Sequence, residues 1–279
     1  MTRILLIARN AFRAVMSKRA LYIWTAAILL MFLRSAPALF NESNNASAQL
    51  FMRANAIAGA MDMWAVLCVG AAVLLGAGAI STEITTKTIV TMLARPVRRW
   101  EVCLGKWIGV TAFVALSLAI GVALDMMIAN YLDIDVEREV LLAALAHTMV
   151  AAMLFGGVAV VVGSGGSAAI AVAITVLLMF MPGLVSVLET DPRPRVQAAG
   201  KAIGYLVPPG YDSLYEAITW APFPQRATLA GAPAPVRVRP RVQVDYPAVR
   251  KELYENLAYA GVYFLIGCAI FTRKDVKLA

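Results

Sequence analysis

The stretch AGAMDMWAVLCVGAAVLLGAGAI, running from Ala58 to Ile80, carries a single charge, Asp62, in 23 residues. A helix rises ~1.5 Å per residue, so about 20 apolar residues cross the hydrocarbon of a bilayer. This stretch meets that length, and the same ruler finds five more: 20–39, 107–131, 140–163, 168–188 and 253–271. The expected fold is therefore an all-α polytopic membrane protein with six transmembrane helices. Composition agrees, since 61% of the 279 residues are hydrophobic and 15% charged. A soluble domain of this length has no single core able to bury that much apolar surface.

The charges say how the chain is oriented. Thirteen lysines and arginines fall in the segments 1–19, 81–106 and 272–279, three in the short connections on the other side, and nine in the long segment 189–252. Positive residues favour the cytoplasmic side in short loops, and long loops are exempt. Both termini are expected inside a cell (inner or plasma) membrane, with 189–252 outside. The net charge of +8 is then a headgroup contact. No basic stripe with interleaved aromatics points to nucleic acid.

Before the first span, Ile4, Leu5, Ala8, Phe12, Val15 and Met16 share one helical face and Arg3, Arg9, Asn10, Arg13 and Ser17 the other, with Leu6 and Ile7 as imperfections. Residues 1–19 are expected to form an amphipathic helix in the inner headgroup layer. Ten of the thirteen prolines lie between Asp191 and Pro247, which excludes a continuous helix there. Short pieces are expected at 211–218, as a helix, and at 236–244, as an edge-like strand interrupted by Pro240.

The segment 81–106 is the most informative. Its polar start changes to an apolar stretch, Glu83 is expected in the first turn of a short helix, and Pro96 ends that helix by restricting Arg95. Arg98, Arg99 and Glu101 then lead into Gly105-Lys106 and the next span. Residue physics leaves two readings open: a basic loop that merely fixes orientation, or a stiff element carrying motion between a cytosolic partner and the membrane helices.

This stretch closely resembles the cytoplasmic signature of ABC exporter permeases of the second type, a group that includes permeases of multi-copper enzyme maturation systems. The matching residues are Glu83, Lys87-Thr88, Leu93, Arg95-Pro96-Val97, Arg99 and Gly105-Lys106, and the ending Phe271-Thr-Arg-Lys-Asp275 is similar too. That family often has glycine where this chain has Lys87. The resemblance implies a single transmembrane domain over 1–279 in which 81–106 is the coupling region. Glu83, Lys87, Thr88, Leu93, Arg95, Pro96, Arg98, Arg99, Glu101, Gly105 and Lys106 would engage a separate ABC ATPase, present in two copies, beneath a dimer of permease chains, most simply a homodimer. ATP and magnesium would belong to the ATPase. This chain has no Gly-x-x-x-x-Gly-Lys-Ser/Thr loop, and Gly163-Ser-Gly-Gly-Ser167 reads as a tight hairpin. It is expected to be a transport subunit, not an enzyme, with no cofactor of its own.

Asp62, Asp125 and His147 lie inside expected spans, at similar distances from the outer helix ends. A charge at mid-bilayer costs roughly 2.5–3.5 kcal/mol and needs a partner, water or protonation. Two readings stay open: a hydrated substrate path near the outer mouth, or wetted groups without a role. One histidine and three scattered cysteines exclude a zinc protease site and a disulfide framework, so no metal is expected. The methionines read as packing or lipid-facing residues, Tyr254, Tyr259 and Tyr263 as an interfacial belt, and Gly156-Gly157 as a close helix approach. Competing classes are a secondary transporter, for which no inverted repeat is visible, and a membrane-embedded enzyme, for which no motif is visible. Dependence on ATP separates both from the leading reading.

Overall fold

The computed structural model describes residues 2–16, 24, 29–30, 33, 46–87, 98–131, 138–165, 167–209 and 246–273. Among these residues the chain is helical throughout: α1 (Thr2–Val15), α2 (Ala46–Thr85), α3 (Arg99–Tyr131), α4 (Arg138–Gly163), α5 (Ala168–Glu189), α6 (Pro194–Gly204) and α7 (Tyr246–Arg273). Five stretches have the length and hydropathy to cross a membrane: Gly59–Thr85, Arg99–Tyr131, Leu141–Gly163, Ala168–Glu189 and Tyr246–Thr272. The expected span at 20–39 lies almost wholly outside the described residues, as do the pieces expected at 211–218 and 236–244.

α2 is longer than its apolar core. Its 40 residues correspond to about 60 Å of helix, twice the ~30 Å of a bilayer's hydrocarbon. The hydropathy ruler starts at Ala58 because Arg53 and Asn55 interrupt the apolar run, yet neither breaks a helix.

α4 is the most enclosed of the spans and α5 the least. α4 packs against α2, α3, α5 and α7. Its seam with α2 is made of small residues: Gly76 faces the Gly156 carbonyl and Ala159, Gly156 faces Ala72, and Gly163 faces the Ala77 carbonyl. Lipid tails are as apolar as leucine, so helices associate in a bilayer by close packing, and small residues permit the closest approach. Gly157 faces Trp107 on α3, so both glycines of the pair serve approach, each toward a different neighbour.

Two indoles lock the bundle laterally. The buried Trp64 on α2 lies over Gly121 of α3 and donates its Nε1–H to the Ser117 carbonyl at 2.9 Å. Trp107 on α3 donates to the Met153 carbonyl of α4 at 2.9 Å and stacks on Phe264 of α7, with centroids 4.3 Å apart. An indole N–H buried without an acceptor is costly, so each ring fixes a helix pair in register. The hydroxyls of Ser81, Thr148 and Thr175 donate to carbonyls one turn back in their own helices, and so are satisfied without water.

α6 was not legible in the proline-rich segment. Asp191 accepts from the Arg193 amide at 2.8 Å, Pro194 opens the helix, and Gln197 donates to the Glu189 carbonyl at 3.2 Å. Gly200 packs on Leu188 and Gly204 on Val185, so α6 folds back along the last two turns of α5. The hydroxyls of Tyr259 and Tyr263 on α7 donate to the carbonyls of Tyr205 and Leu206 just after α6. These two tyrosines thus hold a hairpin to α7, whereas Tyr254 is exposed.

The α2–α4 seam yields a paired expectation. In Gly163→Ala the new methyl would lie 2.5 Å from the Ala77 carbonyl, a backbone atom with no freedom to move, whereas Gly78→Ala meets nothing within 4 Å. Denaturation in detergent should show Gly163→Ala destabilised by about 1–3 kcal/mol and Gly78→Ala stabilised by up to about 1 kcal/mol.

Candidate functional site

The site is built where α2 ends and α3 begins. Glu83, in the last turn of α2, forms an ion pair with Lys106, two turns into α3, and the lysine is almost fully buried. Glu83 was expected to open a helix. It sits instead near the carboxyl end of one, where the helix dipole disfavours an anion. The lysine supplies what the dipole does not, since the opposite charge offsets the desolvation of both groups.

Each helix end is closed by local hydrogen bonds. At the end of α2 the Thr86 amide donates to the Thr82 carbonyl at 3.0 Å and the Lys87 amide to the Ile84 carbonyl at 3.1 Å. Lys87 then takes φ +59°, the left-handed conformation that commonly terminates helices and that glycine adopts most cheaply. At the start of α3 the Arg98 amide donates to Glu101 Oε2 at 2.9 Å, while the Glu101 amide donates to the Arg98 carbonyl at 2.9 Å. Glu101 therefore caps α3 in the manner of a capping box.

α1 closes the junction from the side. Gly105 lies against Ile7 and the Ile4 carbonyl, and Gly109 against Ala11 and the Ala8 carbonyl. Phe12 meets Phe113 edge-on at 6.4 Å. The face of α1 buried in the bundle centres on Ala8 and Ala11, with Ile4, Ile7, Phe12 and Val15 half-buried beside them, while Leu5 and Leu6 are exposed. Ile7, an imperfection on the expected wheel, sits at the centre of this contact. The wheel sought a lipid-facing stripe, but a Gly-x-x-x-Gly groove on α3 selected a face with small residues at its middle.

Of the residues singled out in the sequence, the structure joins Glu83 and Lys106 directly and places Gly105 beside them. Lys87, Arg98 and Glu101 shape the two helix ends, and Arg99 is half-buried in the first turn of α3. Thr88, Leu93, Arg95 and Pro96 lie outside the described residues. Gly109 belongs to the site and was missed, although its spacing from Gly105 was a usable signal.

Asp62, Asp125 and His147 separate. Asp125 and His147 are buried in the bundle, while Asp62 is exposed on α2, and α2 extends 16 residues further toward its start at Ala46. Neither carboxylate oxygen of Asp125 has a hydrogen-bond partner among the described residues. The sequence reading also passed over Asn256, fully buried on α7, whose Nδ2 donates to the Glu252 carbonyl at 2.9 Å. Among the described residues no group of three or more His, Cys, Asp or Glu side chains is arranged to hold a metal ion; Cys68, Cys103 and Cys268 are free and buried.

The sequence pattern of the ABC-2 family transporter proteins matches residues 5–276 of this chain. A search among curated proteins gives no match.

The ion pair and the αL residue each carry a stability expectation. Lys106→Met, which takes the lysine's charge away from Glu83, should cost up to about 3–5 kcal/mol, and the double replacement Glu83→Gln/Lys106→Met should cost less than the single. The exposed pair Lys251–Glu255, at 3.9 Å, serves as control and should contribute under about 0.5 kcal/mol. Lys87→Gly should raise stability by about 1 kcal/mol. Equilibrium unfolding of the solubilised protein measures all of these.

Proposed function

This chain belongs to the ABC-2 transporter family, and from that premise we propose that it is the permease subunit of an ATP-driven exporter, coupled to a separate ATPase through the segment joining α2 and α3. It is a multi-pass membrane protein and, as a permease, the transport subunit of its complex rather than the catalytic one. In this reading two copies of the chain enclose the path and two ATPase subunits, which hold ATP and magnesium, close beneath them. Both termini and the 81–106 segment face the cytoplasm.

The observation that carries the reading is the Glu83–Lys106 ion pair. It ties the last turn of α2 to α3 two turns in from where the connecting segment joins it, so a push on that segment moves the two helices together. The αL turn at Lys87 and the Glu101 cap keep the helix ends from fraying under load. α1, seated on Gly105 and Gly109, braces the same turn. Work enters as the ATP-bound partner binds one arrangement of the membrane helices better than the other, since a partner with equal affinity for both would shift nothing.

Asp125 and His147, buried between spans, and Asp62 at the membrane edge are the groups proposed for the path. Keeping Asp125 in the bundle without a hydrogen-bond partner among the described residues works against stability, as expected of a group retained for transport.

Two experiments address this. Replacing residues 88–97 by a Gly/Ser linker of equal length should leave the permease folded and abolish copurification of its ATPase; undiminished copurification would remove the segment from the coupling. Asp125→Asn should raise thermal stability while reducing ATP-dependent export by about tenfold or more. Unchanged export would take Asp125 out of the path.

A further inference from the structure

At the end of the bundle opposite Glu83 and Lys106, a cavity of about 630 Å³ opens between the last turns of α5 and the turn that follows α6. That volume is in the range of small-molecule sites. Its floor is apolar, formed by Val185, Val207 and Pro208, and its walls carry one anion, Glu189, and one cation, Lys201. Among the described residues no ion pair joins these two or engages either of them elsewhere. Opposite charges that share a cavity wall without meeting leave space for something that bridges them.

Its depth narrows the choice. Gly204 packs on Val185, four residues before the end of the α5 span at Glu189. At ~1.5 Å per residue the 22 residues of α5 span about 33 Å, little more than the ~30 Å hydrocarbon, so Glu189 at the helix end meets the headgroup level and the cavity floor, about 6 Å deeper, meets the glycerol and first acyl carbons. Leu184 and Val187 on α5 and Leu206 beyond α6 are exposed next to it, apolar flanks suited to acyl chains. The Pro194 start and the two tyrosine bonds from α7 hold the α6 hairpin in place, so the cavity is formed before anything enters.

We propose that this cavity is a binding site for a zwitterionic phospholipid headgroup of the phosphoethanolamine type, with Lys201 on the phosphate and Glu189 on the ammonium. The lipid is held at the α5–α6–α7 corner and is not cargo. The proposal requires only that the chain spans a membrane, so it stands or falls independently of ATPase coupling.

The test is native mass spectrometry of the full-length protein offered equimolar phosphatidylethanolamine and phosphatidylglycerol with identical acyl chains. Phosphatidylethanolamine should be retained preferentially. Lys201→Gln and Glu189→Gln should each lower its occupancy about tenfold; Glu189→Gln should also turn the preference toward phosphatidylglycerol. Lys251→Gln, on the exposed start of α7, should change nothing. The exchanged pair Glu189→Lys/Lys201→Glu should recover binding, which excludes simple misfolding. Equal retention of both lipids by the native protein, or cavity variants indistinguishable from Lys251→Gln, would overturn the proposal. So would displacement by soluble glycerophosphoethanolamine at matching concentration, which would make the ligand a water-borne one.

Discussion

The bond between Glu83 and Lys106 sets the geometry of everything around it. It brings two long helices together near the end where the 88–97 segment leaves, with the lysine buried and the glutamate half-buried beside it. Lys106 is flanked by Gly105 and, one turn on, Gly109, whose missing side chains admit α1. From that anchored end the pair α2 and α3 runs up through the Trp64 lock, and α4 enters against the small-residue face of α2. The charge pair thus fixes the register from which the apolar packing follows.

Spans were readable from hydropathy because lipid imposes one rule on every helix: backbone groups must be satisfied within the segment. Hence the stretches starting near 140 and 168 are found close to where apolar content places them, whereas the one expected from 107 begins eight residues earlier, at Arg99. The rule is silent about polar continuation, so the start of α2 at Ala46 and of α7 at Tyr246 was invisible. It is silent as well about short helices that do not span. α6 lies in a proline-rich segment, yet Pro192 and Pro194 precede or open it, where proline is harmless, and the next, Pro208, follows its end.

At the site, residue identity was legible and geometry was not. Glu83 and Lys106 stood out, but sequence placed them at opposite ends of one element rather than against each other. Lys87 in the left-handed region gives a physical reason for the glycine common at that position among the permeases this stretch resembles. Glu101 was grouped with docking residues; its contact is the Arg98 amide. At the N-terminus the apolar stripe reads as facing lipid, whereas the Gly105–Gly109 groove of α3 draws Ile7, Ala8 and Ala11 into the bundle and leaves Leu5 exposed. The buried Asn256 follows Arg250, Lys251, Glu252 and Glu255 in the polar first turns of α7, so nothing in its neighbourhood marked it as an inward-facing residue.

The stacking of Trp107 on Phe264 has a consequence for how the protein is made. The two rings belong to α3 and α7, roughly 160 residues apart, and a ribosome adding 5–20 residues per second delivers the second about 8–30 s after the first. Through that interval the newborn bundle offers lipid, or an insertion chaperone, the flank of α4 that Gly267 later covers. Biogenesis of this protein therefore has a slow final step, the docking of its last helix into a slot that earlier helices have already shaped.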